Sequence, residues 1–113
     1  MKTSPTQRTL AALRAMGYTA QVVERWNQFA HVRQDLFGGI DVVAIHPDHD
    51  GVLGVQATVT GSLSNRRKKL EKLPALKLWL QCGNRLELWG WSKKGKRGKR
   101  KMWQLTVKEM TVL

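Results

Sequence analysis

Asp41 is the residue around which chemistry can be arranged. It follows Gly38, Gly39 and Ile40 and opens the apolar run Val42-Val43-Ala44-Ile45. A second run, Gly51 to Val59, follows across a polar turn containing Pro47, Asp48, His49 and Asp50. On extended backbone, alternation places Asp41, Val43 and Ile45 on one face of the first strand. On the second strand it places Gly54, Gln56 and Thr58 on one face, and Leu53, Val55, Ala57 and Val59 on the other. Such a hairpin can hold Asp41 beside Gln56 and Thr58 at one end of a sheet. A hard divalent cation prefers carboxylate oxygen. One carboxylate with a neutral amide makes a weaker site than paired carboxylates would.

The elements that must position this hairpin can be read on either side of it. Ser4 suits an N-cap, Pro5 the first helical position and Gln7 the third, so a helix is expected over Ser4 to Met16. Leu10, Leu13 and Met16 mark its apolar face, and Gly17 closes it. Tyr18 to Trp26 (YTAQVVERW) has strand composition. Asn27 to Gln34, with His31 and Arg33, reads as a loop leading into the hairpin. After it, Gly61 breaks the chain, and Ser62 or Ser64 can cap a helix running to Lys72. Pro74 starts a second short helix, PALKLWLQC, closed by Gly83 and Asn84. RLELWGW (85–91) and MWQLTVKEM (102–110) read as strands flanking the basic loop SKKGKRGKRK. The expected order is αβββααββ, an α/β chain in which helices pack over a three-stranded meander and a C-terminal hairpin follows.

Length and charge bound the function. A chain of 113 residues fits one domain, 1–113. Its 20 Lys and Arg against 8 Asp and Glu give a net charge of +12, which makes nucleic acid the leading partner class. No run approaches the roughly 20 apolar residues of a membrane span. No apolar signal-peptide core is visible at the N-terminus, so a cytoplasmic, non-secreted protein is expected. A single Cys82 leaves no internal disulfide and no multi-cysteine zinc site.

The helix QRTLAALRAMGY, the strand carrying Glu24, then GGIDVVAI and GVQAT together resemble the PD-(D/E)xK nuclease superfamily. The small members similar to Holliday-junction resolvases are nearest. The resemblance runs from Gln7 to Leu73. It implies a restriction-endonuclease-like core, a Mg²⁺ or Mn²⁺ cofactor, DNA as partner, hydrolysis of phosphodiester bonds, action on branched DNA as a homodimer, and a setting such as a phage genome. Asp41 matches the family's metal-binding Asp, and Gln56 falls where the family carries Glu or Gln. Ala57 would offer its carbonyl to the metal. Thr58 falls where the family's Lys belongs, and Gln7 where resolvase-like members carry a Glu. The resemblance therefore looks for replacements: Glu24 and Asp35 for the second acid, and Lys68, Lys69 or Lys72 of the following helix for the Lys.

Each residue also has a plainer role available. Asp41 can cap a turn after the two glycines. Gln56 and Thr58 can be polar residues on a half-exposed strand, and the capping box accounts for Gln7. Glu24 can pair on the surface with Arg25. His46 and His49 belong to a turn rich in such residues. Cys82 reads as a core thiol. Arg66, Arg67, Lys68 and Lys69 on the helix, and Lys93, Lys94, Lys96, Arg97, Lys99 and Arg100 on the loop, are candidate phosphate contacts without sequence specificity. Trp79 and Trp103 are expected in the core, and Trp89 or Trp91 as a surface for stacking bases.

Overall fold

The computed structural model describes residues 4–95 and 97–111. Helix α1 spans Pro5–Ala15. The Ser4 hydroxyl accepts the Gln7 amide N–H at 3.2 Å, which is half of the expected capping box. Gly17, at φ +92°, ends the helix in the left-handed region that glycine occupies without strain.

Among the described residues seven strands follow: β1 (Thr19–Val22), β2 (Arg25–Asn27), β3 (Val32–Gln34), β4 (Val42–Ile45), β5 (Leu53–Val59), β6 (Arg85–Lys94) and β7 (Met102–Met110). Between β5 and β6 run a 3-10 turn (Thr60–Ser62), α2 (Leu63–Glu71) and α3 (Pro74–Gln81). The main sheet is mixed, in the order β1-β4-β5-β6-β7, and all its neighbours are antiparallel except β5 and β6. Two helices make the crossover between that parallel pair, as a parallel connection requires.

Each face of the sheet has its own core. On one, Leu13 of α1 packs with Ala20, Val42, Ala44, Leu53, Val55, Trp89 and Trp91. On the other, Leu63 and Leu70 of α2 and Leu76 of α3 pack with Ile40, Leu86, Leu88 and Met110. Alternation along β4, β5 and β6 thus feeds two hydrophobic layers, giving an α/β/α sandwich.

The element order differs from the sequence expectation. The expected strand Tyr18 to Trp26 stops at Val22. There the chain leaves the sheet, because the Asp41 carbonyl accepts both the Val23 and Glu24 amides, at 2.8 and 3.3 Å. Arg25–Asn27 then pairs with Val32–Gln34 in a separate two-stranded sheet, where a loop was expected. The segment was unreadable because its turn, Gln28 to His31, has no glycine; His31 itself takes φ +53°. Strand β6 also runs into the basic stretch, through Lys94.

Three tryptophans lie opposite to expectation. Trp89 and Trp91, proposed for base stacking, are 2% and 8% exposed, because both pack beneath α1. The Trp91 indole donates to the Thr9 hydroxyl at 2.9 Å, so its one polar atom is satisfied inside the core. Trp103, expected in the core, is 43% exposed on edge strand β7. Cys82 is also exposed rather than buried, since it caps the C-terminus of α3.

Candidate metal centre

The hairpin register brings the expected residues together. Val42 lies opposite Val55 and Val43 opposite Gly54. One step further puts Asp41 beside Gln56, and the Asp41 amide donates to the Val55 carbonyl at 2.9 Å. The Ala57 amide donates to Asp41 Oδ2, also at 2.9 Å, which fixes the carboxylate over β5. Asp41, Gln56 and Thr58 are all buried.

The other two acids arrive from the ends of the small hairpin. Glu24 immediately precedes β2, and Asp35 immediately follows β3. A tight reversal returns Asp35 toward Asp41: Leu36 and Ile40 bridge each other, while Phe37 and Gly38 both take positive φ. Gly39 is buried in this reversal under α2 and α3. A Cβ there would collide with Leu70 and come within 2.8 Å of Leu76. One ligand oxygen from each of Glu24, Asp35 and Asp41 lies within 4.8 Å of the others. Glu24 and Asp35, expected as replacement acids, therefore do stand at Asp41.

Gln56 ties into the same group. Its Nε2 donates to Asp35 Oδ2 at 3.2 Å. Its Oε1 is buried and has no hydrogen-bond partner among the described residues. A buried acceptor without a partner costs about 1–3 kcal/mol. The three clustered carboxylates offer hard oxygen ligands that could hold a divalent metal ion.

The electrostatics carry the mark of crowded acids. The Asp41 carboxyl is pushed up to about 8, chiefly by burial. The hydrogen-bonded Asp35 carboxyl beside it adds to the rise, the charge of Glu24 contributes less, and the Ala57 N–H opposes it. Arg33 pairs with Glu24 at 3.3 Å.

The expected lysines do not close on the carboxylates. Lys68, Lys69 and Lys72 are exposed, and among the described residues no ion pair joins any of them to Asp41, Asp35 or Glu24. Arg67 pairs instead with Glu71, one turn along α2. Gln7 stays at the start of α1 as a cap partner. His46 and His49 pack their rings against Tyr18 in the turn, outside the acidic group.

The basic residues nonetheless lie toward the same end of the sheet. Val59 at the end of β5 is level with Trp91, and the β6–β7 hairpin continues beyond that point through Lys93 and Lys94. Lys93, Lys94, Arg97, Lys99 and Arg100 are all exposed; Lys96 lies outside the described residues. The Arg8 guanidinium lies 3.4 Å above the Trp103 ring, and the Lys93 ammonium 5.1 Å from it. No helix among the described residues is long and apolar enough to cross a membrane. The chain matches no protein-family model, no curated protein and no solved structure.

Proposed function

We propose that this chain is a DNA-binding, divalent-metal-dependent nuclease with a restriction-endonuclease-like core, hydrolysing phosphodiester bonds in branched DNA such as Holliday junctions. One observation carries the reading. The buried Asp41 carboxylate meets Glu24 and Asp35, with the Gln56 amide hydrogen-bonded to Asp35 and its Oε1 without a partner among the described residues, on a strongly basic chain. The order of the sheet supports it: the antiparallel trio β1, β4 and β5 is joined through helices to the parallel strand β6.

In this reading Asp41 and either Glu24 or Asp35 would hold the cation, with the Ala57 carbonyl and, on turning its amide, Gln56 Oε1 as further oxygens. When bound, Mg²⁺ or Mn²⁺ polarises the phosphate and lowers the pKa of the attacking water. The Ala57 N–H keeps Asp41 in place before substrate arrives. Hydrolysis forms a bond from the water oxygen to phosphorus and breaks one ester P–O bond. The proton released by water would go to whichever of Glu24 and Asp35 does not hold the cation, and the departing ester oxygen would take a proton from solvent. Thr58 offers a neutral hydroxyl where the family has a Lys, so it orients water without adding positive charge. Lys69, on the solvent side of α2, meets DNA phosphate together with Arg66, Arg67 and Lys68. The resemblance also implies a homodimer, which sedimentation measures directly.

The assay is cleavage of a four-way junction and of a linear duplex in Mg²⁺ or Mn²⁺, with Asp41→Ala as control. Metal-dependent cutting that the substitution abolishes is the expected result. A second reading, a non-catalytic DNA-binding module, is favoured by one feature: Thr58 stands in the position of the family's Lys. DNA binding without cutting in either metal would select that reading.

A further inference from the structure

Segment 24–35 leaves the main sheet at one carboxylate of the acidic group and returns at another. Between Glu24 and Asp35 it forms the β2–β3 ladder, pairing Arg25 with Gln34, Trp26 with Arg33 and Asn27 with Val32. The arm is therefore anchored in the acidic group itself. The Glu24–Arg33 pair, at 3.3 Å, fastens its base.

The tip is held in a defined shape. Asn27 Oδ1 accepts the Phe29 and Ala30 amides at 3.0 and 3.1 Å, an Asx turn made by one side chain. The His31 ring stands edge-on to Trp26, with 6.4 Å between centroids. This ordered tip leaves Phe29 90% exposed and Trp26 55% exposed. Neither aromatic belongs to either hydrophobic core. Between them lies a cleft of about 310 Å³, lined also by Arg25, Gln28 and Gln34.

Aromatic faces beside arginine and amide groups suit a nucleobase, which offers a π-face and polar edges joined to an anionic phosphate. In duplex DNA those π-faces are covered by neighbouring bases, so the arm fits unpaired ones. Phe29 lies five residues after Glu24. Only Arg25–Asn27 of this stretch is strand, so it reaches at most about 17 Å. That is at most about five nucleotides at the 3.4 Å axial rise of a stacked strand.

We propose that the β2–β3 hairpin is a single-strand-reading arm: Phe29 and Trp26 stack on unpaired bases within about five nucleotides of the phosphate that a cation at the carboxylates would engage. The inference rests on the DNA reading of the site and names the bases that site would select. It would give a protein with general phosphate affinity a preference for forked or single-stranded DNA over continuous duplex.

The test uses the full chain in EDTA, where binding is read without hydrolysis and independently of the nuclease claim. The probes are a single strand, a forked DNA and a continuous duplex, each carrying 2-aminopurine near the fork or at the matching position. The expected result is quenching of 2-aminopurine on the single strand and the fork. Phe29→Ala with Trp26→Ala should remove the quenching and weaken those two complexes about tenfold to a hundredfold. Duplex affinity, unchanged in the double variant, reports an intact fold. Unchanged fluorescence, or equal weakening on all three DNAs, would overturn the inference. So would a wild-type dimer that the double variant loses in sedimentation, since the aromatics would then serve a second copy of the chain. Absence of cleavage in Mg²⁺ or Mn²⁺ would remove the nuclease claim and leave the arm standing.

Discussion

At the scale of single residues, ionised Asp41 is costly to the fold, a cost that a bound cation would offset. It is 4% exposed and shares its space with Asp35 and Glu24. Its folded pKa of about 8 lies above the ordinary carboxyl value of 3.8. A raised carboxyl pKa gives stability that is complete below about pH 4 and is lost as pH rises through about 8, because the folded state binds more protons than the unfolded one. Bound Mn²⁺ reverses this balance, since it prefers the ionised form. Thermal unfolding with and without Mn²⁺ should therefore show a larger metal-induced rise in Tm at pH 8.5 than at pH 6. Asp41→Asn should abolish the rise. Without metal, the Asn variant should gain on wild type as pH increases from 4 to 8. A metal effect equal at both pH values, or one retained in Asp41→Asn, would count against the ligand assignment. Asp41 and Gln56 were legible in the sequence because period-two alternation decides which side chains share a face of a hairpin. The unpartnered Gln56 oxygen was not legible, since it depends on where the Asp35 turn ends.

At the scale of elements, the reversal between β3 and β4 delivers Asp35 to Asp41 and also seats two helices. Gly39 is the point where they meet. A methyl group there meets Leu70 of α2 and Leu76 of α3. Gly39→Ala should destabilise the protein by about 1–3 kcal/mol, the range for an overfilled core, as measured by urea unfolding. It should also weaken Mn²⁺ binding, because the same turn sets Asp41. Gly61→Ala, with open space at its Cβ, serves as the control and should cost much less.

Helices α1, α2 and α3 and strand β7 could be placed from caps, Pro5 and Pro74, and alternation. The two-way split of the Tyr18 to Trp26 strand could not. It is imposed by the Asp41 carbonyl, which takes two amides from a segment distant in sequence. The tryptophans were misplaced for a related reason. Trp89 and Trp91 sit on a strand face that α1 covers, whereas Trp103 sits on an edge strand, and sequence alternation does not say which face a helix will cover.

At the scale of the whole molecule, a net charge of +12 surrounds a site that is locally acidic. If the chain binds DNA as proposed, that arrangement draws the polyanion to the surface, and a cation at the acidic group would offset its repulsion of the phosphate. The protein is also somewhat extended, with a radius of gyration of 14.7 Å against about 13 Å for a compact chain of this length. DNA affinity should fall steeply with salt. Replacing Arg66, Lys68 and Lys69 by Ser should flatten the log-log slope on duplex by about 0.9 for each phosphate that these side chains neutralise. A slope unchanged by these substitutions would place the DNA elsewhere, with Lys93, Lys94, Arg97, Lys99 and Arg100 as the next residues to vary.

Anomalous scattering from crystals soaked in Mn²⁺ tests most directly whether Glu24, Asp35, Asp41 and Gln56 bind a cation. A peak is expected bounded by Asp41 and at least one of the other two carboxylates, with Gln56 Oε1 turned to it at about 2–2.6 Å. No peak at Asp41, with manganese seen only on exposed surface acids, would contradict it.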